Sequence, residues 1–231
     1  MRDEILRMRD SEDIERVLVA VRDGLLELGV SFTDCGVNLV DWIGDPPSVR
    51  SHNMAQGGRW IYTGPNVPGV GVVIQIWRGR MVNYRRDLDV EDMYGEADRI
   101  EKLFEHHIRS VVDVPFSHGT LAINSTQPNA FSPQDIELFE EMAQVLSEGF
   151  TRLDDLQLLD VFDQVGQVIL SSLDLEYVVA ALAQRIVKTG IFRSLMVALV
   201  DETTRRVEVV ENFIRHPKEG FFREPSIIGV G

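Results

Sequence analysis

The chain has 231 residues, 44% apolar content and a formal net charge of −14. That length allows one or two domains with ample core. The charge excludes a general basic surface for nucleic acid and opposes direct docking on an anionic membrane. No run approaches the roughly 18 apolar residues of a membrane-spanning helix, and no apolar signal core follows the charged N-terminus. The single cysteine, Cys35, excludes an internal disulfide framework and fits a reducing compartment, so the expected location is the cytoplasm.

Apolar residues recur at helical spacing from Ile5 to Leu28, which predicts one long helix, or two end to end, closed by Gly29. Residues 35–43 read as a strand ended by Asp45-Pro46-Pro47. Residues 52–58 are polar and loop-like, and 60–63 form a short strand before Gly64-Pro65. The run 70–77 reads as a strand, turned at Gly79 into a hairpin with 81–85. Residues 90–107 are acidic and then helical, and 110–114 and 120–125 are two more strands.

Ser132-Pro133-Gln134-Asp135 predicts a helix start, with Ser at the N-cap and Pro at the first helical position. Ile136, Phe139, Ala143, Leu146, Phe150 and Leu153 continue it, and the helical pattern runs on towards residue 172. The expectation is a connecting helix, 132–172, that pairs with its copy as a coiled-coil homodimer. The alternative is that its first half packs under the sheet and its second half starts the next domain. A helix over 173–188 follows, then strands at 194–201 and 206–213 around a Thr203-Thr204 turn.

The chain also repeats itself. Asp13-Ile14-Glu15-Arg16-Val17 returns as Asp174-Leu175-Glu176-Tyr177-Val178, Gly29-Val30 as Gly190-Ile191, and Val40-Asp41 as Val200-Asp201. Gly69-Val70-Gly71 returns as Gly229-Val230-Gly231, at a common offset of about 160 residues. One full module followed by the first part of a second is the expected organisation: 1–150, a connecting helix 151–172, and 173–231.

Three segments carry a family resemblance: Ser110-Val111-Val112-Asp113-Val114-Pro115-Phe116, Gly119-Thr120-Leu121-Ala122-Ile123-Asn124-Ser125, and Ala130-Phe131-Ser132-Pro133-Gln134-Asp135. With the element order, the chain resembles the GAF family of sensory domains over residues 12–150, and again over 173–231. The resemblance implies an α/β (α+β) GAF/PAS-like fold: an antiparallel sheet flanked by helices, with the first and last helices on one face and a ligand cleft on the other. The family's cyclic-nucleotide-binding members carry Asn-Lys…Phe…Asp-Glu. Asn124, Phe131 and Asp135 fit that pattern, but Ser125 and Ile136 replace the Lys and the Glu, so the matching residues read first as structural.

Trp60, Tyr62, Trp77, Phe104 and Phe116 are candidate walls of an apolar pocket. Tyr84-Arg85-Arg86 offers guanidinium forks to an anionic ligand, or an Arg–Asp surface pair. His106, His107 and His118 are the candidate pocket histidines, and Asn124 the candidate polar contact. No spacing resembles a zinc or iron site. The position of Cys35 on the first strand argues against covalent bilin, and lone histidines argue against haem, so no cofactor is named. No phosphate loop or nucleophile elbow is present. The expectation is therefore a non-catalytic regulatory module that binds an unidentified small molecule. It relays a shift through its connecting helix to an output domain, as in a sensor histidine kinase of a two-component system. The alternatives are a ligand-free dimerisation spacer and a cyclic-nucleotide-binding domain of a cyclase or phosphodiesterase.

Overall fold

Two apolar helical stripes and a run of alternating strands build the first unit of this chain. The computed structural model describes residues 2–8, 13–42, 46–62, 70–171, 175–188, 194–201, 206–216 and 220–223. They fall into two units, Met1–Asp41 with Pro47–Leu153, and Trp42–Pro46 with Asp154–Gly231. The turns expected at Gly64-Pro65 and Thr203-Thr204, and the Gly190 and Gly229-Val230-Gly231 echoes, lie outside the described residues.

The N-terminal helical pattern is two helices, α1 (Arg2–Leu6) and α2 (Ile14–Glu27). Gly29 ends α2 at φ 73°, with its N–H donating to Leu26 and that of Val30 to Leu25. This paired pattern needs a left-handed residue, which glycine adopts without strain. The strands are β1 (Asp34–Asp41), β2 (Ser48–Ala55) and β3 (Trp60–Tyr62), then β4 (Asn83–Arg85), β5 (Ser110–Phe116) and β6 (Gly119–Ser125). They form one antiparallel sheet in the order β3-β2-β1-β6-β5-β4. The helices α3 (Val70–Gly79) and α4 (Ala97–Phe104) interrupt the strands, and α5 (Pro133–Ser171) follows them.

Successive strand residues point to opposite faces. On one face Cys35, Val37 and Leu39 of β1, with Leu121 and Ile123 of β6, pack against Val17, Val21 and Leu25 of α2 and Phe139, Leu146 and Phe150 of α5. The stripe expected to form a dimer seam is therefore core: Phe139 and Leu146 are fully buried within their own unit. A second apolar cluster, of Ile61, Leu88, Ile100, Phe104, Ile108 and Val111, joins α4 to the opposite face.

Two expectations are corrected. Residues 70–77 are the helix α3, and β4 pairs with β5 rather than with them. A continuous apolar run fits a buried strand and a buried helix alike. Tertiary contact decides it: Trp77 Nε1 donates to the Phe116 carbonyl at 3.1 Å, and Arg80 reaches the same oxygen from the next turn. The polar segment 52–58 begins inside β2. Its side chains showed no apolar alternation because Ser51 and Asn53 line a cavity on one face, while Arg50 is exposed on the other.

In the second unit α6 (Leu175–Lys188) packs on β7 (Ser194–Asp201) and β8 (Arg206–His216), and β9 (Gly220–Arg223) completes a three-stranded antiparallel sheet.

The start of α5 is closed reciprocally. Asp135 N–H donates to Ser132 Oγ at 3.2 Å, and Ser132 N–H to Asp135 Oδ2 at 2.8 Å. Ser132→Ala should lower stability by about 1 kcal/mol, read as a lower urea midpoint with an unchanged slope; an unchanged midpoint would remove the cap from the account.

Candidate functional site

The face of the sheet away from α2 and α5 buries polar side chains among apolar ones. It carries Asp34, Gly36 and Asn38 of β1, Ser51 and Asn53 of β2, Thr120 and Asn124 of β6, Asp113 of β5 and Arg85 of β4. Between this floor and the helices α3 and α4 lies a cavity of about 590 Å³, open solvent at its mouth included. Asn38, Asn53, Asp113 and Asn124 line it from the sheet beside Val49, Val111 and Ala122, with Val73 from α3 and Ile100, Leu103 and Phe104 from α4.

Gly36 keeps the floor low. A Cβ there would stand 2.1 Å from Asn53 Oδ1, so the Asn53 amide lies over the glycine. Asn53 Nδ2 has no hydrogen-bond partner among the described residues.

One wall is ionic. Arg85, only 2% exposed, is held between two buried carboxylates. Its Nε lies 2.6 Å from Glu96 Oε1, and a terminal nitrogen 2.6 Å from Asp113 Oδ2. The other terminal nitrogen donates to Asn83 Oδ1 at 2.5 Å. Thr120 Oγ1 donates to Asp113 Oδ1 and accepts from Asn38 Nδ2. Arg99, on α4, reaches the second Glu96 oxygen at 3.2 Å. Burial alone would lower the Arg85 pKa, but Asp113 and Glu96 hold it above its ordinary value. Burial raises Glu96, against the pull of Arg85.

Asp34 is different. It is fully buried, and neither carboxylate oxygen has a hydrogen-bond partner among the described residues. Burial pushes its pKa up to about 6, opposed by the fields of His106 and Arg59. Cys35, its neighbour, points into the apolar core, and burial pushes its thiol up to about 12. No group of three or more His, Cys, Asp or Glu that could hold a metal ion occurs among the described residues.

Of the residues singled out in the sequence, Arg85, Phe104 and Asn124 meet at this cavity. Trp60, Tyr84 and Phe116 instead pack against the apolar core on the opposite face, because strand alternation turns them there. Tyr84 also accepts the Phe131 N–H. Trp77 caps the β5–β6 turn, and Arg86 lies over the Tyr84 ring, 4.8 Å from its centroid. His107 is exposed and bridges Glu101 and Asp89, whose hydrogen bonds raise its pKa. His118 stacks on Phe150. Tyr62 is placed by its backbone, paired with His52. Asp34, Asn38, Asn53, Glu96 and Asp113 escaped the sequence reading. The signal for the strand residues among them is a polar residue recurring on one face, at Asp34 and Asn38 of β1, Ser51 and Asn53 of β2 and Thr120 and Asn124 of β6.

Residues 13–149 match the GAF domain family, over more than half of the chain. The chain belongs to the GAF domain family. No curated protein sequence matches it. Among solved structures, it is similar to the GAF domain of a two-component sensor histidine kinase from Bacillus halodurans. The identity is 16%, covering 66% of this chain and 99% of that one, at TM-score 0.45. It is also similar to free methionine-R-sulfoxide reductase from Neisseria meningitidis (19%, covering 67% and 86%, TM-score 0.45). A third is the type II enzyme of that name from Thermoplasma acidophilum (15%, covering 62% and 97%, TM-score 0.42). These reductases correct the expectation that the chain is not an enzyme: proteins of this fold include enzymes, so the fold does not exclude catalysis. No helix among the described residues is long and apolar enough to cross a membrane.

Two stability measurements probe the site. Arg85→Met leaves Glu96 and Asp113 buried without their cation and should cost about 3–5 kcal/mol, seen as a lower denaturant midpoint; a loss under about 1 kcal/mol would mean that the pair is solvated. Asp34 binds its proton more tightly when folded, so its contribution is fully present below pH 3.8 and is lost as pH rises to about 6. Asp34→Asn should therefore stabilise the chain by roughly 2–3 kcal/mol at about pH 7.5 and by little at about pH 4. An equal gain at both pH values would contradict the buried unpaired carboxylate.

Proposed function

We propose that residues 13–149 are a sensory domain that binds a small polar molecule in the cavity between the sheet and α4. One observation carries this reading: the cavity floor buries the hydrogen-bonding side chains Asn38, Asn53, Asp113 and Asn124 among its apolar ones, and Asn53 Nδ2 is buried there with no partner among the described residues. A sheet used only as a spacer is best filled on this side with apolar side chains, because buried polar groups without partners are destabilising. Occupancy would settle α4 on its ligand and bias α5, which begins at the end of the same domain. A differential affinity of a few kcal/mol is enough to shift such an equilibrium.

Downstream, the reading is a cytoplasmic signalling protein with a second GAF module over 173–231 and an output domain such as a histidine kinase. Its support is the repeated sequence and the repeated order of a helix followed by three antiparallel strands in α6-β7-β8-β9. Self-association along α5 belongs to the same reading. Leu156, Leu159 and Phe162, three residues apart, are exposed, with Leu159 at 63% and Phe162 at 61%.

Native mass spectrometry of the chain purified from cells tests both parts. The expected result is a dimer that carries a small-molecule adduct, with Asn124→Ala losing the adduct and keeping the dimer. A bare chain that no polar metabolite in a screening library stabilises thermally would sink the ligand reading. A bare dimer of that kind would favour the spacer.

A further inference from the structure

Four ionic side chains line the cavity, and they answer one another. Arg85 Nε lies 2.6 Å from Glu96 Oε1, and a terminal nitrogen 2.6 Å from Asp113 Oδ2. Arg99 holds the other Glu96 oxygen at 3.2 Å. Two cations therefore meet two carboxylates, and the lining has no charge left over. An ion that entered would lose its hydration with no counter-charge waiting for it, which is strongly unfavourable. The net charge of −14 adds a repulsion against anions in particular.

The rest of the lining is of two kinds. The helix side is apolar, with Val73 of α3 and Ile100, Leu103 and Phe104 of α4. The sheet side carries uncharged amides. Asn38 Nδ2 already serves Thr120 Oγ1 at 3.0 Å. Asn53 Nδ2 serves no acceptor among the described residues, although Asn53 is only 4% exposed. Its amide is seated over Gly36, where a Cβ would stand 2.1 Å from Asn53 Oδ1. A buried N–H group without an acceptor lowers stability until something supplies one. An amide nitrogen only donates, so the group that completes it must accept.

We propose that the ligand has no ionised group: it lays an apolar body against α4 and turns one accepting oxygen, a ketone, amide or lactone carbonyl, towards Asn53 Nδ2. This rests on the reading of the cavity as a ligand site. It narrows that reading away from nucleotides, organic acids and amines. Asn53 is the residue that selects the acceptor. The ionic network holds α4 in place and offers the ligand no free charge.

Three probes of nearly one outline separate the possibilities. They are acetophenone, α-methylstyrene, in which CH2 replaces the carbonyl oxygen, and benzoate, in which a charged oxygen replaces the methyl group. Each is titrated into the full chain while the Asn53 side-chain amide and the methyl groups of Ile100 and Leu103 are followed by NMR. Acetophenone is expected to shift both sets of resonances. It is expected to bind about fivefold more tightly than α-methylstyrene and at least about tenfold more tightly than benzoate. In Asn53→Leu, which keeps the volume and removes the donor, acetophenone and α-methylstyrene are expected to bind alike. The comparison of probes in the unmodified chain stands however that variant folds. Benzoate as tight as acetophenone would overturn the uncharged ligand, and α-methylstyrene as tight would overturn the carbonyl; either result leaves the cavity a ligand site. Silence from all three probes would overturn the inference and the ligand site together.

Discussion

The contact on which this domain depends is the buried Arg85 guanidinium between Glu96 and Asp113. Asp113 belongs to the sheet and Glu96 to the N-terminal end of α4, so one cation fastens the helix to the strand. A buried ion pair gives little net stability compared with an apolar replacement, yet it is strongly unfavourable to break. Such a contact specifies where α4 sits more than it strengthens the fold. Asn83, Thr120 and Asn38 extend the network across β4, β6 and β1, which fixes the polar floor in one arrangement.

That floor makes the sheet two-sided in an unusual sense. One face carries the apolar core under α2 and α5, and the other buries amides and charges under α3 and α4. The second face is kept from collapse by the ionic network and from filling by Gly36, whose missing side chain leaves room for the Asn53 amide. Asp34 stands apart because it has no ion pair at all among the described residues and is held largely unsatisfied. A position that lowers stability in this way belongs with those shaped by function rather than by folding.

Much of this fold was legible in the sequence. The Ser132-Asp135 cap, the Gly29 stop, the paired strands around residue 117 and the amphipathic stripe of α2 are local patterns, decided by backbone hydrogen bonds and spacing within a few residues. The apolar stripe of α5 was equally visible, but its partner was not. Phe139 and Leu146 pack on their own sheet, and only Leu156, Leu159 and Phe162 further along remain exposed. Periodicity shows that a face is apolar and does not say what covers it.

Tertiary structure decided the rest. Residues 70–77 are a helix because Trp77 and Arg80 dock on the turn after β5, although their composition favours a strand equally well. Residues 48–55 are a strand because both neighbours supply backbone partners, although neither of its faces reads as apolar. The site follows the same rule. Arg85, Phe104 and Asn124 were visible as isolated candidates, while Asp34, Asn38, Asn53 and Asp113 gained meaning only when strand register placed them on one face, and Glu96 only when the start of α4 met Arg85. The sequence by itself carried the family in its strand and cap motifs, and determined the α2 and α5 stripes and the β5–β6 pair, because those rest on local spacing. Only the folded sheet decided the cavity and its charge balance, because these arise from residues far apart in the chain and adjacent only through register.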